Sequence, residues 1–367
     1  MGLVKIKNYL AHAIKGKPSP KVVEAARPFV ASHISKGIPG PLGSQPYNNS
    51  TLIERLNIKN MGYALAQQYA KVFAGIPTKD QPKNIGLVSK PTTQSDVESP
   101  WFVHWCQELK CAPLYHRKLW EFAFVLQALF EHGLLKPGAK GMGFGCGDEP
   151  LPSYFASKGV SALVTDLAPE KVQSMGWAET GQHAHSLDLA FKKNLTTKDA
   201  FKKHVSHQFV DMNAIPKMDT AFDFCWSICA LEHLGSIQKG LDFIENSLSV
   251  LKPGGLAVHT TEYNYLETEK TIDNWPTVLF LRKHFEDIAK RLQAKGHIVF
   301  GPCFDAGNGI LDGFIDVPPY PHSMNDQMQA LYATDKGSDP KVALPHLKLA
   351  VDGFACTCYG LIVQKKN

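Results

Sequence analysis

Three glycines alternate in the run Gly143-Phe-Gly145-Cys146-Gly147, a spacing that lets backbone turn tightly and approach a ligand without side chains intervening. Asp166 follows Gly147 by 19 residues (166 − 147), about the interval at which a nucleotide-binding unit offers a carboxylate to a ribose diol. The turn is not of the G-x-G-x-x-G form, which argues against a nicotinamide dinucleotide. Further along stand Asp211, the pair Glu232-His233, and Glu262 with Asn264. Carboxylates and an imidazole at strand ends suit proton removal from a hydroxyl, and Asn264 adds a mixed donor and acceptor for orienting one. His233 is the natural base because an imidazole titrates near neutral pH, with Glu262 as runner-up and Glu232 beside it.

Alternating strand and helix patterns would position these residues. A short strand ends in the glycine turn, 151–157 has helical period, and 160–165 reads as a second strand closing on Asp166 and Leu167. Third and fourth strands are expected at 205–210 and 222–228, the former ending at Asp211, Met212 and Asn213. A helix at 236–251 is stopped by Lys252-Pro-Gly-Gly255 before a fifth strand at 256–261. Leu281, Phe285, Ile288 and Leu292 mark an amphipathic helix, 297–300 a short strand, and Asp352-Gly353 the tip of a closing hairpin over 347–363.

Ahead of this core, an apolar helix at 122–135 follows a group of rings and bases, Trp101, Trp105, Tyr115, His116 and Arg117. Rings with polar tips beside such bases suit a pocket that stacks on and hydrogen-bonds a polar ligand, so these five are candidate acceptor contacts. Residues 22–30 and 61–73 have helical period, and 76–100, rich in Pro, Lys, Ser and Thr, reads as a linker or a loop laid over a surface. Residues 1–100 are therefore expected to form a helical extension and linker, serving as lid or dimer contact, ahead of a domain over 101–367.

The ordered series Gly145-Cys146-Gly147, Asp166, Asp211, Leu231-Glu232-His233 and Leu251-Lys252-Pro253-Gly254-Gly255 resembles the class I S-adenosylmethionine-dependent methyltransferases. The likeness covers 135–265 well and the tail to 364 loosely. It implies a Rossmann-like, doubly wound α/β fold with a mostly parallel seven-stranded sheet and an antiparallel C-terminal strand. It also implies S-adenosylmethionine as cofactor, bound by Gly143, Gly145, Cys146, Gly147, Glu149, Asp166, Leu167, Asp211, Met212 and Asn213. Two positions depart from the family pattern: Gly143 stands where an acid is usual, and Glu149 where a glycine closes the motif. Asp148 or Glu149 could supply the displaced charge. In ubiquinone-biosynthesis O-methyltransferases an acid three residues before the Glu of Leu-Glu-His helps bind a divalent metal; here it is Cys229, and metal dependence is not carried over.

The chain has 367 residues, 44% hydrophobic and 20% charged, enough for one sizeable core with an appended segment. The net charge of +5 is mild; Lys192, Lys193, Lys198, Lys202 and Lys203 bunch on a polar insert that reads as a solvated face, and a nucleic-acid partner is not indicated. Eight cysteines without a C-x-x-C pair read as thiols of a reducing, cytoplasmic compartment. Neither a signal peptide nor a membrane span is expected. The residues thus point to methyl transfer onto a hydroxyl, or less readily an amine, of a small polar molecule such as a sugar or glycan. RNA or protein methylation and an inactive cofactor-binding scaffold are the alternatives, and a homodimer is compatible with the N-terminal arm.

Overall fold

The computed structural model describes residues 49–76, 82–168, 190–219, 221–318 and 345–367. The periodic segment at 22–30, the insert residues 169–189 and the end of the 301–322 loop lie outside the described residues.

Ten strands form one sheet: β1 (Lys90–Pro91), β2 (Lys140–Phe144), β3 (Ser161–Asp166), β4 (Val205–Phe209), β5 (Phe222–Ile228), β6 (Leu251–Asn264), β7 (Ile298–Val299), β8 (Ile315–Asp316), β9 (Lys348–Val351) and β10 (Phe354–Gln364). The order is β4-β3-β2-β5-β6-β10-β9-β8, with β1 and β7 also on β10. Strands β4 through β6 are mutually parallel, and β10 returns antiparallel along β6. The expected strands are present as β2 to β7 and as the hairpin β9–β10; β1 and β8 extend the sheet beyond them, giving ten strands where the family likeness implies seven. The chain leaves β2 for β3 on one side and later reaches β5 on the other, so the crevice at the carboxyl ends of β2 and β5 is the topological switch point, where open parallel sheets bind ligands.

Helices cover both faces. On one lie α1 (Asn49–Tyr69), α2 (Gln94–Val97), α3 (Pro100–Glu108), α4 (Arg117–Glu131), α5 (Leu151–Ser157) and α6 (Lys198–His204), in the core that includes Phe224, Trp226, Val258 and Ile362. On the other, α7 (Ile237–Ser247) and α8 (Arg282–Ala294) pack on Cys225, Ala257, Tyr359 and Leu361. Helix α4 starts five residues earlier than the apolar pattern suggested. His116 caps it by accepting from the Lys118 N–H at 3.1 Å, and its first turn is buried although charged. Strand β6 is longer than expected because Lys252-Pro-Gly-Gly255 passes through as an irregularity in register with β5.

The stretch read as a linker or surface loop is bound into the body. Lys90 pairs with Gly360, the buried Gln94 N–H donates to Asp312 at 2.8 Å, and the wholly buried Lys348 bonds the Thr92 carbonyl. Lys198, Lys202 and Lys203 are exposed on α6.

Helix α4 approaches the sheet so closely that a Cβ at Gly360 would lie 2.4 Å from the Phe124 ring. Replacing Gly360 with Ala should therefore destabilise the fold by about 1–3 kcal/mol through overpacking. Urea denaturation of the two proteins side by side checks this, and an unchanged midpoint would contradict the close approach.

Candidate functional site

At the switch point the glycine turn needs its glycines for two reasons. Gly145 and Gly147 hold φ of +61° and +55°, left-handed values that cost a residue with a Cβ about 1–2 kcal/mol. A Cβ on Gly145 would also lie 2.8 Å from the Ala230 Cβ and 3.5 Å from the Met212 sulfur. The residues after β2, β4 and β5 thus converge on one cradle that a side chain would fill.

Asp166 sits at the end of β3, 5% exposed, and its carboxylate accepts from the Gly147 N–H at 3.2 Å and the Leu167 N–H at 2.9 Å. It joins the acid directly to the glycine turn. Asp211 accepts from the Asn213 N–H at 2.9 Å, closing the turn after β4 beside the half-buried Met212.

The two departures in the first motif are one packing solution. A Cβ on Gly143 would lie 2.3 Å from both the Trp226 indole and the Cys146 sulfur, so no acid fits there. That indole instead donates to Glu149 at 2.5 Å. Burial pushes the Glu149 carboxyl up to about 8, against the lowering effect of the Trp226 bond.

The carboxyl ends of β5 and β6 meet the first turn of α4 in a buried cluster of charges. Arg117 bonds Glu262 at 2.6 Å and points its other terminal nitrogen at the Cys358 sulfur, 2.9 Å away. Lys118 lies 3.3 Å from Glu121, which also accepts from Cys229 at 2.9 Å and from Thr260. The second Glu262 oxygen accepts from the Cys356 thiol at 2.9 Å. Burial would raise the Glu262 carboxyl, but the Arg117 guanidinium, together with the Cys356 bond and the Lys118 charge, more than offsets it and brings the value down to about 2.

Glu232 differs. One oxygen accepts from Thr261 at 3.0 Å; the other, Oε1, is buried without a hydrogen-bond partner. Burial first, and then the Glu262 charge, push Glu232 up to about 7. His233 Nε2 lies 3.9 Å from that oxygen, while Nδ1 is 3.1 Å from the Pro276 carbonyl and from the Thr277 hydroxyl. A proton on Nδ1 donated to the carbonyl would put the lone pair on Nε2, facing Glu232.

The structure brings together the predicted Glu232, His233, Glu262 and Arg117, and separately the glycine turn with Asp166 and Met212. It does not gather the ring group around them. The Trp105 indole donates to Gln127 at 2.7 Å inside the core, Tyr115 bonds Glu98 at 2.7 Å, and Trp101 is 7% exposed. His116 is the helix cap, its ring tilted by 31° against that of His346 with centroids 5.0 Å apart. Asn264 is buried, with its amide nitrogen on the Lys270 carbonyl at 3.1 Å. Sequence reasoning missed Lys118, Glu121 and Cys358. The available signal was a Lys and an acid among the residues that open an otherwise apolar, inward-facing helix.

Two sets of ligand-type atoms lie within 4.8 Å of one another among the described residues, Glu121-Cys229-Cys358 and Cys229-Glu232-Glu262. Arg117 and Lys118 already supply positive charge there.

Residues 116–297 match the profile of a family described as a methyltransferase domain. Among curated proteins no relative matches. Among solved structures, the chain is similar to the 4+2 cyclase SpnF at 16% identity, covering 83% of this chain and 97% of that one with a TM-score of 0.40. An S-adenosylmethionine-dependent methyltransferase from Methanosarcina mazei aligns at 16% identity over 65% of this chain and 97% of its own, TM-score 0.34. Another from Aquifex aeolicus aligns at 14% identity, 64% and 87%, TM-score 0.32. The strand order is that of an open, mostly parallel α/β domain with a crevice at its switch point, and the methyltransferase-domain match spans the strands that form it. Residues 116–297 are thus a methyltransferase domain, with S-adenosylmethionine as its cofactor. The turn suits that cofactor: Gly145 is half-buried at the switch point, and Asp166 stands at the adjacent strand end, hydrogen-bonded to the turn.

Two outcomes follow. Gly145→Ala should weaken S-adenosylmethionine binding tenfold or more, about 1.4 kcal/mol, measured by calorimetry on folded protein. Glu149 and Glu232 carry raised folded values of about 8 and about 7, so the folded state holds more protons than the unfolded chain above pH ~4.5. Their contribution to stability is fully present below that pH and is lost as pH climbs through 7 and 8. Glu149→Gln should flatten this decline and, at pH 8, stabilise by ~1–3 kcal/mol relative to wild type in urea denaturation at pH 6 and pH 8.

Proposed function

We propose that this enzyme methylates a hydroxyl of a small polar acceptor, with a sugar or glycan as the class, and that Glu232 takes the hydroxyl's proton. When bound, S-adenosylmethionine supplies a methyl group already activated on a sulfonium. What the chain must add is alignment of the acceptor and a place for its proton. The observation that carries the reading is Glu232 Oε1, a buried carboxylate oxygen without a hydrogen bond, on a group poised at about 7. The hydroxyl O–H bond breaks toward Oε1 as the oxygen's electrons become available for methylation. Glu262 does not compete for the proton, because Arg117 holds it ionised and weakly basic.

His233 changes role from base to exit. Its ring is partly exposed and its Nε2 lies 3.9 Å from Glu232 Oε1, the position from which it would take the proton, pass it outward and reset the carboxylate. With Glu232 ionised to receive the proton, Arg117 and Lys118 face three carboxylates, a net negative charge that disfavours an anionic polymer as acceptor. The setting we propose is cytoplasmic. Its support is that all eight cysteines are free thiols, six of them buried; no helix among the described residues is long and apolar enough to cross a membrane.

Incubating the enzyme with methyl-labelled S-adenosylmethionine and panels of sugars, glycans, amines, RNA and protein tests the acceptor. Label on hydroxylated small molecules or glycans supports the reading, and label on amines, RNA or protein alone overturns it. With an acceptor in hand, Glu232→Gln should cost about 10²–10⁴ in turnover while keeping cofactor binding, and His233→Ala about tenfold. Cofactor binding without any labelled product would favour a scaffold.

A further inference from the structure

We propose that Arg117 is a positioning residue that decides which of two neighbouring carboxylates changes protonation: it clamps Glu262 and thereby leaves Glu232 to receive the proton. The chemical purpose rests on the reading above, but the geometry does not involve an acceptor.

The two acids form a pair. Oxygens of Glu232 and Glu262, with the Cys229 sulfur, lie within 4.8 Å of one another in a buried place. Two carboxylates so placed cannot both ionise cheaply, and without another charge they would share one proton between them. Arg117 breaks the symmetry. It bonds Glu262 at 2.6 Å, and the Cys356 thiol engages the other Glu262 oxygen, so that acid has no vacant oxygen for a proton. A guanidinium stays charged at every working pH, which makes the bias permanent.

The clamp itself is held in place. Arg117 opens α4, its N–H donates to the His346 carbonyl at 3.1 Å, and its second nitrogen is lodged against Cys358 and Cys229 at 2.9 and 3.5 Å. Glu232 faces other charges as well. From α4 come Lys118, which favours its ionised form, and Glu121, which opposes it; from β6 comes Glu262, and from its own turn His233. Glu121 is itself neutralised by Lys118 at 3.3 Å, so Glu262 is the neighbour whose charge controls Glu232 most directly.

The experiment is a titration of the full-length protein with ¹³C-labelled glutamate side chains, followed by carboxyl NMR from pH 4 to 9 without acceptor, in a Glu149→Gln background that removes the other raised glutamate. The parent should show one carboxyl changing near neutrality, and that resonance should vanish in Glu232→Gln. Glu262→Gln should move its midpoint down by a pH unit or more, a tenfold change in proton affinity, because the neighbouring charge is gone. Arg117→Met should move it the other way, with Arg117→Lys restoring part of the shift. A purely structural Arg117 would lower stability without moving the midpoint. If Arg117→Met fails to fold, the two glutamate variants decide. No carboxyl titrating between pH 6 and 8, or a midpoint indifferent to Glu262→Gln, overturns the proposal. Since no acceptor is present, that failure is distinct from failure to methylate a hydroxyl.

Discussion

The buried contact between Arg117 and Glu262 joins the helix that leads into the parallel strands to the end of β6. Both side chains are almost wholly removed from water, and breaking one partner of such a pair costs about 3–5 kcal/mol because the other is left uncompensated. Its presence therefore fixes the register of α4 on β6 and β10, and with it the position of Lys118 one residue on. Those two cations sit among three glutamates and three thiols contributed by α4, the bend after β5, β6 and β10. None of these elements could be rotated without stranding a charge.

A similar mutual dependence governs the other half of the crevice. Trp226 occupies the volume over Gly143, and its indole N–H must then find an acceptor in a buried place, which Glu149 provides. The glutamate in turn is tolerated without full ionisation because it is hydrogen-bonded and carries a raised proton affinity. Two positions that look like independent departures from a family pattern, Gly143 and Glu149, are with Trp226 one compensated exchange of charge for ring volume.

The sequence shows the parallel core clearly because its signals are local. Gly145 and Gly147 turn β2, the apolar run at 222–228 is strand β5 to the residue, and Asp352-Gly353 turns the final hairpin. What it hides is non-local. Pro, Ser and Thr at 82–97 resemble a linker, yet Gln94 and Thr92 are bonded to Asp312 and Lys348, more than 200 residues away. Polar-tipped rings resemble a pocket when their partners are unknown; Gln127, Glu98 and Asp96 turn Trp105, Tyr115 and Trp120 into core residues. Arg117 was legible as a candidate for substrate contact, but its true partners lie 112 to 241 residues downstream. No periodicity reports such distances.

Environment, and not residue type, then decides the proton chemistry. An isolated histidine is the expected base near neutral pH and an isolated glutamate is not, which favours His233 on sequence alone. Burial and the charge of Glu262 raise Glu232 into the same range, whereas His233 has its Nδ1 engaged by the Pro276 carbonyl and its ring at the boundary with solvent. The carboxylate is therefore the group shielded from water, and the imidazole the group in contact with it. In the proposed reaction a proton taken in the dry interior leaves through a neighbour that can both accept and release it, and among the described residues around Glu232 His233 combines that chemistry with access to water.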